Sequence, residues 1–297
     1  MEIIRARHSG FCMGVRRAVN MAFEALSSGK NVYTLGPLIH NTRVLEQLEK
    51  QGVKILKEEE EIDFIPPESI IIIRAHGVAP QLERAVNQGG SVVLDATCPH
   101  VKESQNIARE LAEKGYHIFL AGEKNHGEII SIRSYVEEAA SISIIIANPK
   151  EAEIAACGLY KDGNAEKTAL IGQTTISRRE YNEIGENIKK YFPDLEIIET
   201  ICNATTDRQE ALLELYEQID AFIIAGSRES ANTRRLFSLA QELGKPCWLV
   251  EKPEDIPIEI KSYNKIGLSA GASTPEDFIR EIEESMKLLL ITYPHLY

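Results

Sequence analysis

Ser91-Val-Val-Leu-Asp-Ala-Thr-Cys-Pro-His-Val-Lys-Glu-Ser104 runs from an apolar strand, past a thiol, into a helix. Val92, Val93 and Leu94 form the strand run, Cys98 stands at its tip, and Pro99 leads into a helical pattern beginning near Val101. A thiol so placed sits at a helix N-terminus. The partial positive charge there favours the thiolate, which is the form that ligates metal. One such cysteine is most simply a small buried hydrophobe, but here the context recurs. Cys12 lies in His8-Ser-Gly-Phe-Cys-Met-Gly-Val-Arg-Arg-Ala18 and Cys202 in Glu199-Thr-Ile-Cys-Asn-Ala-Thr-Thr-Asp-Arg208, each between an apolar-rich run and a helical pattern.

Aligned on these cysteines, the chain reads as three repeats. A glycine-led loop ending in a polar residue follows each: Gly36-Pro-Leu-Ile-His40, Gly122-Glu-Lys-Asn-His126 and Gly226-Ser-Arg-Glu-Ser230. Its last residue falls 28 positions beyond the cysteine every time. Strand patterns precede the loops at Asn31–Leu35, Tyr116–Ala121 and Ala221–Ala225. Helical patterns follow the first and third at Thr42–Gln51 and Thr233–Leu243, with Asn41 and Asn232 as expected caps, and a weaker one follows the second at Gly127–Glu137.

Each repeat then reaches a further strand with a polar tip and another helix: Ile70–His76 into Pro80–Asn87, Ala169–Thr174 into Arg178–Tyr191, and Lys265–Ser273 into Pro275–Leu290. Strands alternating with helices predict an α/β fold of parallel sheets, with ligands beyond the carboxyl ends of the strands. The expected repeats are 1–97, 98–200 and 201–297. Pro66-Pro67 and Lys161–Asn164 read as turns inside repeats, and Lys57–Glu61 as a solvated face.

Composition narrows the function. The 297 residues, 43% hydrophobic and 26% charged, suit a globular protein of two or three domains of about 100 residues each. A net charge of −12 argues against nonspecific nucleic-acid binding. No apolar run approaches the roughly 20 residues of a membrane span, and the opening lacks a signal-peptide core, so the expected location is cytoplasmic. Five cysteines without a CxxC pair do not read as a disulfide framework.

Three cysteines about a hundred residues apart can ligate metal only through the fold. Structural zinc prefers close pairs, whereas an iron-sulfur cluster needs thiolates but no particular spacing. Spacing alone leaves both open. The other strand-tip residues are His40, His76, His126, Glu128, Thr174, Ser230, Asn232 and Ser273. Imidazoles, hydroxyls and a carboxamide at helix N-termini suit a phosphate or diphosphate, and Glu128 is placed to donate a proton if its pKa is raised. No GxGxxG, GxxxxGK[ST] or HExxH is present, so any reducing equivalents come from another protein.

At these residues the chain closely resembles the 4-hydroxy-3-methylbut-2-enyl diphosphate reductase (LytB) family. The likeness rests on Gly10-Phe-Cys-Met-Gly-Val, His40-Asn41, Ala75-His-Gly-Val, Asp95-Ala-Thr-Cys-Pro, His126-x-Glu128, Gln173-Thr-Thr, Cys202-x-Ala-Thr-Thr-x-Arg-Gln-Glu, Gly226-Ser-x-x-Ser-x-Asn and Ala270-Gly-Ala-Ser, which span almost the whole chain in order. It implies a trefoil of three α/β domains around an oxygen-sensitive 4Fe-4S cluster held by Cys12, Cys98 and Cys202, with one iron open to the substrate's hydroxyl. It implies diphosphate binding by His40, His76, Ser230, Asn232 and Ser273, and proton delivery by His126, Glu128 and Thr174. The implied reaction removes the hydroxyl as water and gives isopentenyl or dimethylallyl diphosphate, with electrons from ferredoxin or flavodoxin.

Two positions depart from the family pattern. Gly127 stands where the family usually has proline, which is expected to loosen the loop carrying Glu128, and Ala231 replaces a serine of the diphosphate loop. Cys157 and Cys247 match no family ligand. The competing readings are a metal-dependent phosphate-ester hydrolase acting through His40, His76, His126 and Glu128, and an iron-sulfur sensor without turnover.

Overall fold

Ile70–Ile73 is an unbroken aliphatic run, and a strand apolar on both faces belongs inside a parallel sheet covered by helices. The computed structural model, which describes residues 2–56, 65–163 and 166–292, places it there, with all four isoleucines buried. Lys57–Glu61 and Asn164 lie outside the described residues.

In chain order the described elements are β1 (Glu2–Arg5), α1 (Met13–Leu26), β2 (Val32–Leu35), α2 (Thr42–Lys50), β3 (Val53–Leu56), β4 (Ile70–Ile73), α3 (Pro80–Gln88), β5 (Val92–Asp95) and α4 (Pro99–Glu113). There follow β6 (His117–Ala121), α5 (Gly127–Glu138), β7 (Ser143–Ile146), α6 (Pro149–Asp162), β8 (Thr168–Gly172), α7 (Arg178–Lys189) and β9 (Glu196–Ile197). The chain continues with α8 (Asn203–Tyr216), β10 (Ala221–Ala225), α9 (Ala231–Glu242), β11 (Cys247–Val250), β12 (Lys265–Ala270) and α10 (Glu276–Thr292).

The fold is α/β, and one strand order is written three times: β3-β2-β4-β5, β7-β6-β8-β9 and β11-β10-β12-β1, with every pairing parallel. The inner strands β2, β4, β6, β8, β10 and β12 are the long apolar runs. The strands β5, β9 and β1 are partly exposed edges, and each hands the chain to a cysteine loop. The third sheet takes its edge from the N-terminus, Glu2–Arg5 pairing with Lys265–Leu268. No local pattern announces that pairing.

The chain divides into two compact units. One comprises Met1–Arg16, His40–Glu46 and Asn203–Tyr297 and holds the sheet that includes β1; the other, Arg17–Ile39 and Gln47–Cys202, holds the other two sheets. Alternation along the strands fills a core on each face of a sheet. Phe119 and Leu170 face Ile184 and Ile188 of α7, while Ile118, Leu120 and Ile171 face Ala108 of α4 and Ile132 of α5. In the first unit Ile223 and Leu268 pack on Phe278 and Ile282 of α10, and Phe222 and Ile224 on Leu212 of α8 and Leu236 of α9.

Asn41 caps α2 as expected, accepting the Val44 N–H at 3.1 Å. Asn232 does not cap α9. Ser230 does, accepting the Thr233 N–H at 3.4 Å, and Asn232 lies inside the first turn with its Oδ1 on the Ala272 N–H at 3.0 Å. The same turn brings α9 close to the backbone after β12. A Cβ on Gly271 would stand 2.0 Å from Thr233 Oγ1, and threonine, stiff at χ1, cannot swing clear. Gly271→Ala is therefore expected to cost about 1–3 kcal/mol in urea unfolding. Adding Thr233→Ala should recover part of that, because the remaining approach to the Thr233 Cβ is 3.1 Å.

Candidate active site

The three cysteines share one backbone device. Each N–H donates to the carbonyl just beyond an inner strand: Cys12 to Ala272 at 3.0 Å, Cys98 to Ala75 at 2.9 Å and Cys202 to Thr174 at 2.9 Å. Each cysteine also immediately precedes a helix, α1, α4 or α8. The thiols are half-buried and not in disulfides, and the Val15 N–H points at Cys12 Sγ from 3.5 Å. Cys157 and Cys247 lack this setting. Cys157 lies within α6, and Cys247 opens β11, where burial pushes its thiol up to about 12.

Within the second unit the polar tips join into one chain of contacts. Glu128, only 2% exposed, receives the Thr174 N–H on Oε1 at 2.6 Å and the Thr174 hydroxyl on Oε2 at 2.9 Å. Its own N–H donates to His126 Nδ1 at 3.2 Å, which makes His126 the N-cap of α5. The His126 ring meets the His76 ring edge-on, centroids 5.2 Å apart. His76 follows the carbonyl that holds Cys98, and Thr174 carries the one that holds Cys202. Cys98, His76, His126, Glu128, Thr174 and Cys202 thus lie along a single connected path.

Three residues that support it, Ser131, Gln105 and Arg74, carry no signal of that role in the sequence. The Ser131 hydroxyl lies 3.0 Å from the His76 carbonyl and 3.1 Å from that of Glu128, and it accepts the Gln105 amide at 2.9 Å. A buried serine and glutamine on helices look like ordinary core polar residues until their partners are known. Arg74, at the end of the isoleucine run, donates to the Gly77 carbonyl at 3.0 Å and lies against Gly127.

Gly127 itself is less of a departure than its identity implies. It is the first residue of α5, and a Cβ there would make ordinary 3.5 Å contacts with Arg74 and His76. Proline is favoured at this helix position because no intrahelical bond needs its N–H. Gly127→Pro should leave α5 intact and stabilise the protein by about 0.4–1 kcal/mol through the unfolded state, read as a higher denaturation midpoint.

Within the first unit Cys12 is joined to the remaining tips. Ala272, whose carbonyl holds Cys12, gives its N–H to Asn232. The neighbouring Ser273 donates its hydroxyl to the His40 carbonyl at 3.0 Å and receives the Asn41 amide on its own carbonyl at 2.9 Å. Ser230, Asn232 and Ser273 are all buried, as is Ala231 beside them. The Arg208 guanidinium donates to the carbonyls of Gly10, at 2.5 Å, and Ala204, at 2.6 Å. No helix among the described residues is long and apolar enough to cross a membrane.

Known proteins resemble the chain along nearly its full length. The family model described as LytB protein matches residues 3–287. A relative from Treponema denticola, named 4-hydroxy-3-methylbut-2-enyl diphosphate reductase, is 42% identical over 96% of this chain and 99% of its own. One of the same name from Aquifex aeolicus is 36% identical over 97% and 96%. The structure of the E-1-hydroxy-2-methyl-but-2-enyl-4-diphosphate reductase from Plasmodium falciparum superposes with a TM-score of 0.84 at 30% identity, covering 97% of this chain and 88% of that one. A second solved reductase, described as the terminal enzyme of the non-mevalonate pathway, gives 0.71 at 35% identity over 97% and 99%. With three strand-tip cysteines in a thrice-repeated parallel sheet and relatives matched from end to end, the chain belongs to the LytB family.

Proposed function

We propose that the chain reduces 4-hydroxy-3-methylbut-2-enyl diphosphate, with two electrons and two protons, to isopentenyl and dimethylallyl diphosphate, releasing the hydroxyl as water. The observation that carries this reading is the buried Glu128 carboxylate bonded to Thr174, the residue that also anchors Cys202. A group able to hold a proton and a thiol able to ligate metal are fixed to the same strand tip.

Cys12, Cys98 and Cys202 fit an iron-sulfur cluster. They are cysteines outside any disulfide, each at the start of a helix on a backbone pinned to a strand tip, and an N–H already addresses one sulfur. We assign them a 4Fe-4S cluster with three thiolate ligands and one open iron. When bound, it would supply the electrons singly and a Lewis-acidic iron for the substrate's oxygen.

The other residues bind and protonate. Ser230 accepts the Thr233 N–H with its Oγ and keeps its own hydroxyl proton for a phosphate oxygen. Asn232, its Oδ1 engaged, offers its NH2 group. Ser230 caps α9 and Asn232 lies in its first turn, where the helix terminus favours an anion, while Ala231 can contribute its backbone N–H alone. His40, His76 and Ser273 complete the diphosphate set. His126, Glu128 and Thr174 form the proton path, the Thr174 hydroxyl turning from donor to acceptor as Glu128 takes up its proton and back again as Glu128 releases it.

Ferredoxin or flavodoxin is the proposed electron donor, and the cytoplasm the proposed location. Residues 1–97, 98–200 and 201–297 are the proposed repeats. Electron paramagnetic resonance on reduced, anaerobic protein tests the assignment: substrate should change the cluster's signal, and a strong reductant should drive substrate consumption. Zinc without sulfide, or a cluster without turnover, would end the reading.

A further inference from the structure

Cys98 is held by more than its own N–H. On one side, the Arg17 guanidinium reaches from α1 to two carbonyls of the same loop, Nη2 to Asp95 at 2.8 Å and Nη1 to Thr97 at 3.1 Å. Between those carbonyls the Ala96 N–H donates to Ile73 at 3.1 Å. The Asp95 side chain turns back on the loop, its Oδ1 taking the Thr97 N–H at 2.9 Å while its Oδ2 meets Lys102 Nζ at 3.3 Å. Lys102 stands in the first turn of α4, and its N–H donates to the Cys98 carbonyl at 2.9 Å.

The chain of contacts continues away from the loop. Lys102 Nζ also lies 3.1 and 3.0 Å from the two carboxylate oxygens of Glu83 on α3, and Glu83 receives the hydroxyl of the buried Tyr135 at 3.0 Å. Tyr135 belongs to α5, the helix that begins beside His126 and carries Glu128. Burial alone would push the Asp95 carboxyl up, but the Thr97 bonds and Lys102 outweigh it and hold it below the ordinary carboxylate range.

Partly exposed ion pairs contribute little to stability singly, and these contacts together join the end of β5 to four helices, α1, α3, α4 and α5, an arrangement that fixes the geometry of the loop. We propose that Arg17, Asp95 and Lys102 are positioning residues that fix the direction of the Cys98 thiol and tie it, through Glu83 and Tyr135, to the helix of Glu128. None of them touches the reacting atoms. The proposal rests on the cluster assignment above. Residues that orient a metal's ligands from outside typically change metal retention by about tenfold or more when removed.

The test uses the full chain reconstituted anaerobically with iron and sulfide. Iron release to a chelator is followed in Arg17→Met, Arg17→Lys, Lys102→Met, Arg133→Met as a surface control, and Cys98→Ser. We expect release about tenfold faster in Arg17→Met and Lys102→Met, at melting temperatures close to the parent's, with an altered paramagnetic signal. Lysine at position 17 should restore part of the retention, since an ammonium reaches one carbonyl well but not both in the guanidinium's forked geometry. Parent-like release and spectra in both methionine variants, while Cys98→Ser loses its iron, would overturn the bracing role alone. Parent-like iron in Cys98→Ser would overturn the cluster assignment and the brace with it.

Discussion

Glu128→Gln is expected to lower kcat by about a hundredfold or more while leaving iron content and substrate affinity near the parent's, because a positioned general acid typically contributes that much. The geometry makes the substitution clean. The glutamine Oε1 can still accept the Thr174 N–H now 2.6 Å from the carboxylate, and its NH2 group would face the Thr174 hydroxyl, which can rotate to accept it. Every bond of the buried pair is kept and only the transferable proton is lost. Single-turnover and steady-state rates on the anaerobic protein separate the two outcomes. A parent-like kcat removes Glu128 from the proton path, and a loss of iron would make it a structural residue.

Thr174→Val supplies the complementary case. It keeps the N–H to Oε1 and the carbonyl to Cys202 but deletes the hydroxyl, so it separates anchoring of the loop from passage of the proton.

What could be read in the sequence divides along physical lines. The inner strands were legible because they are buried on both faces and so appear as apolar runs; Ala221–Ala225 matches β10 residue for residue. The cysteine loops were legible because each repeats strand, thiol and helix in the same order. The weaker helical pattern after Gly122 is a full helix, α5, capped by His126, a residue with no strong capping signature.

The edge strands β3, β7 and β11 went unread because four residues carry little periodic signal, and α6 went unread although Asn148 caps it and Pro149 opens it. The pairing of β1 with β12 depends on residues more than 250 positions apart, and no local pattern records a register. In the site, residue types were legible but not their bonds. Asn232 looks like a cap and serves the Ala272 N–H instead, while Arg17, Asp95 and Lys102 lie in the quoted cysteine segments with no role of their own assigned. Such roles belong to contacts between elements, which a linear pattern does not encode.

Cys98→Ser should abolish stable cluster binding, read as loss of the brown absorbance and of the paramagnetic signal, without harming the fold. The residue is the N-cap of α4 and at present makes no capping bond with its side chain. Its backbone bonds to Ala75 and Lys102 do not involve the sulfur and survive the change. Serine is among the preferred N-cap residues, so its hydroxyl can accept an N–H of the first turn and stabilise the iron-free protein by about 0.5–1 kcal/mol. The two effects therefore run in opposite directions, iron lost and melting temperature of the iron-free chain held or raised. That opposition is the value of the experiment, because misfolding would lower both together. A serine variant that keeps the parent's spectrum would show that Cys98 is not a ligand, and the assignment of Cys12 and Cys202, which rests on the same backbone device, would fall with it.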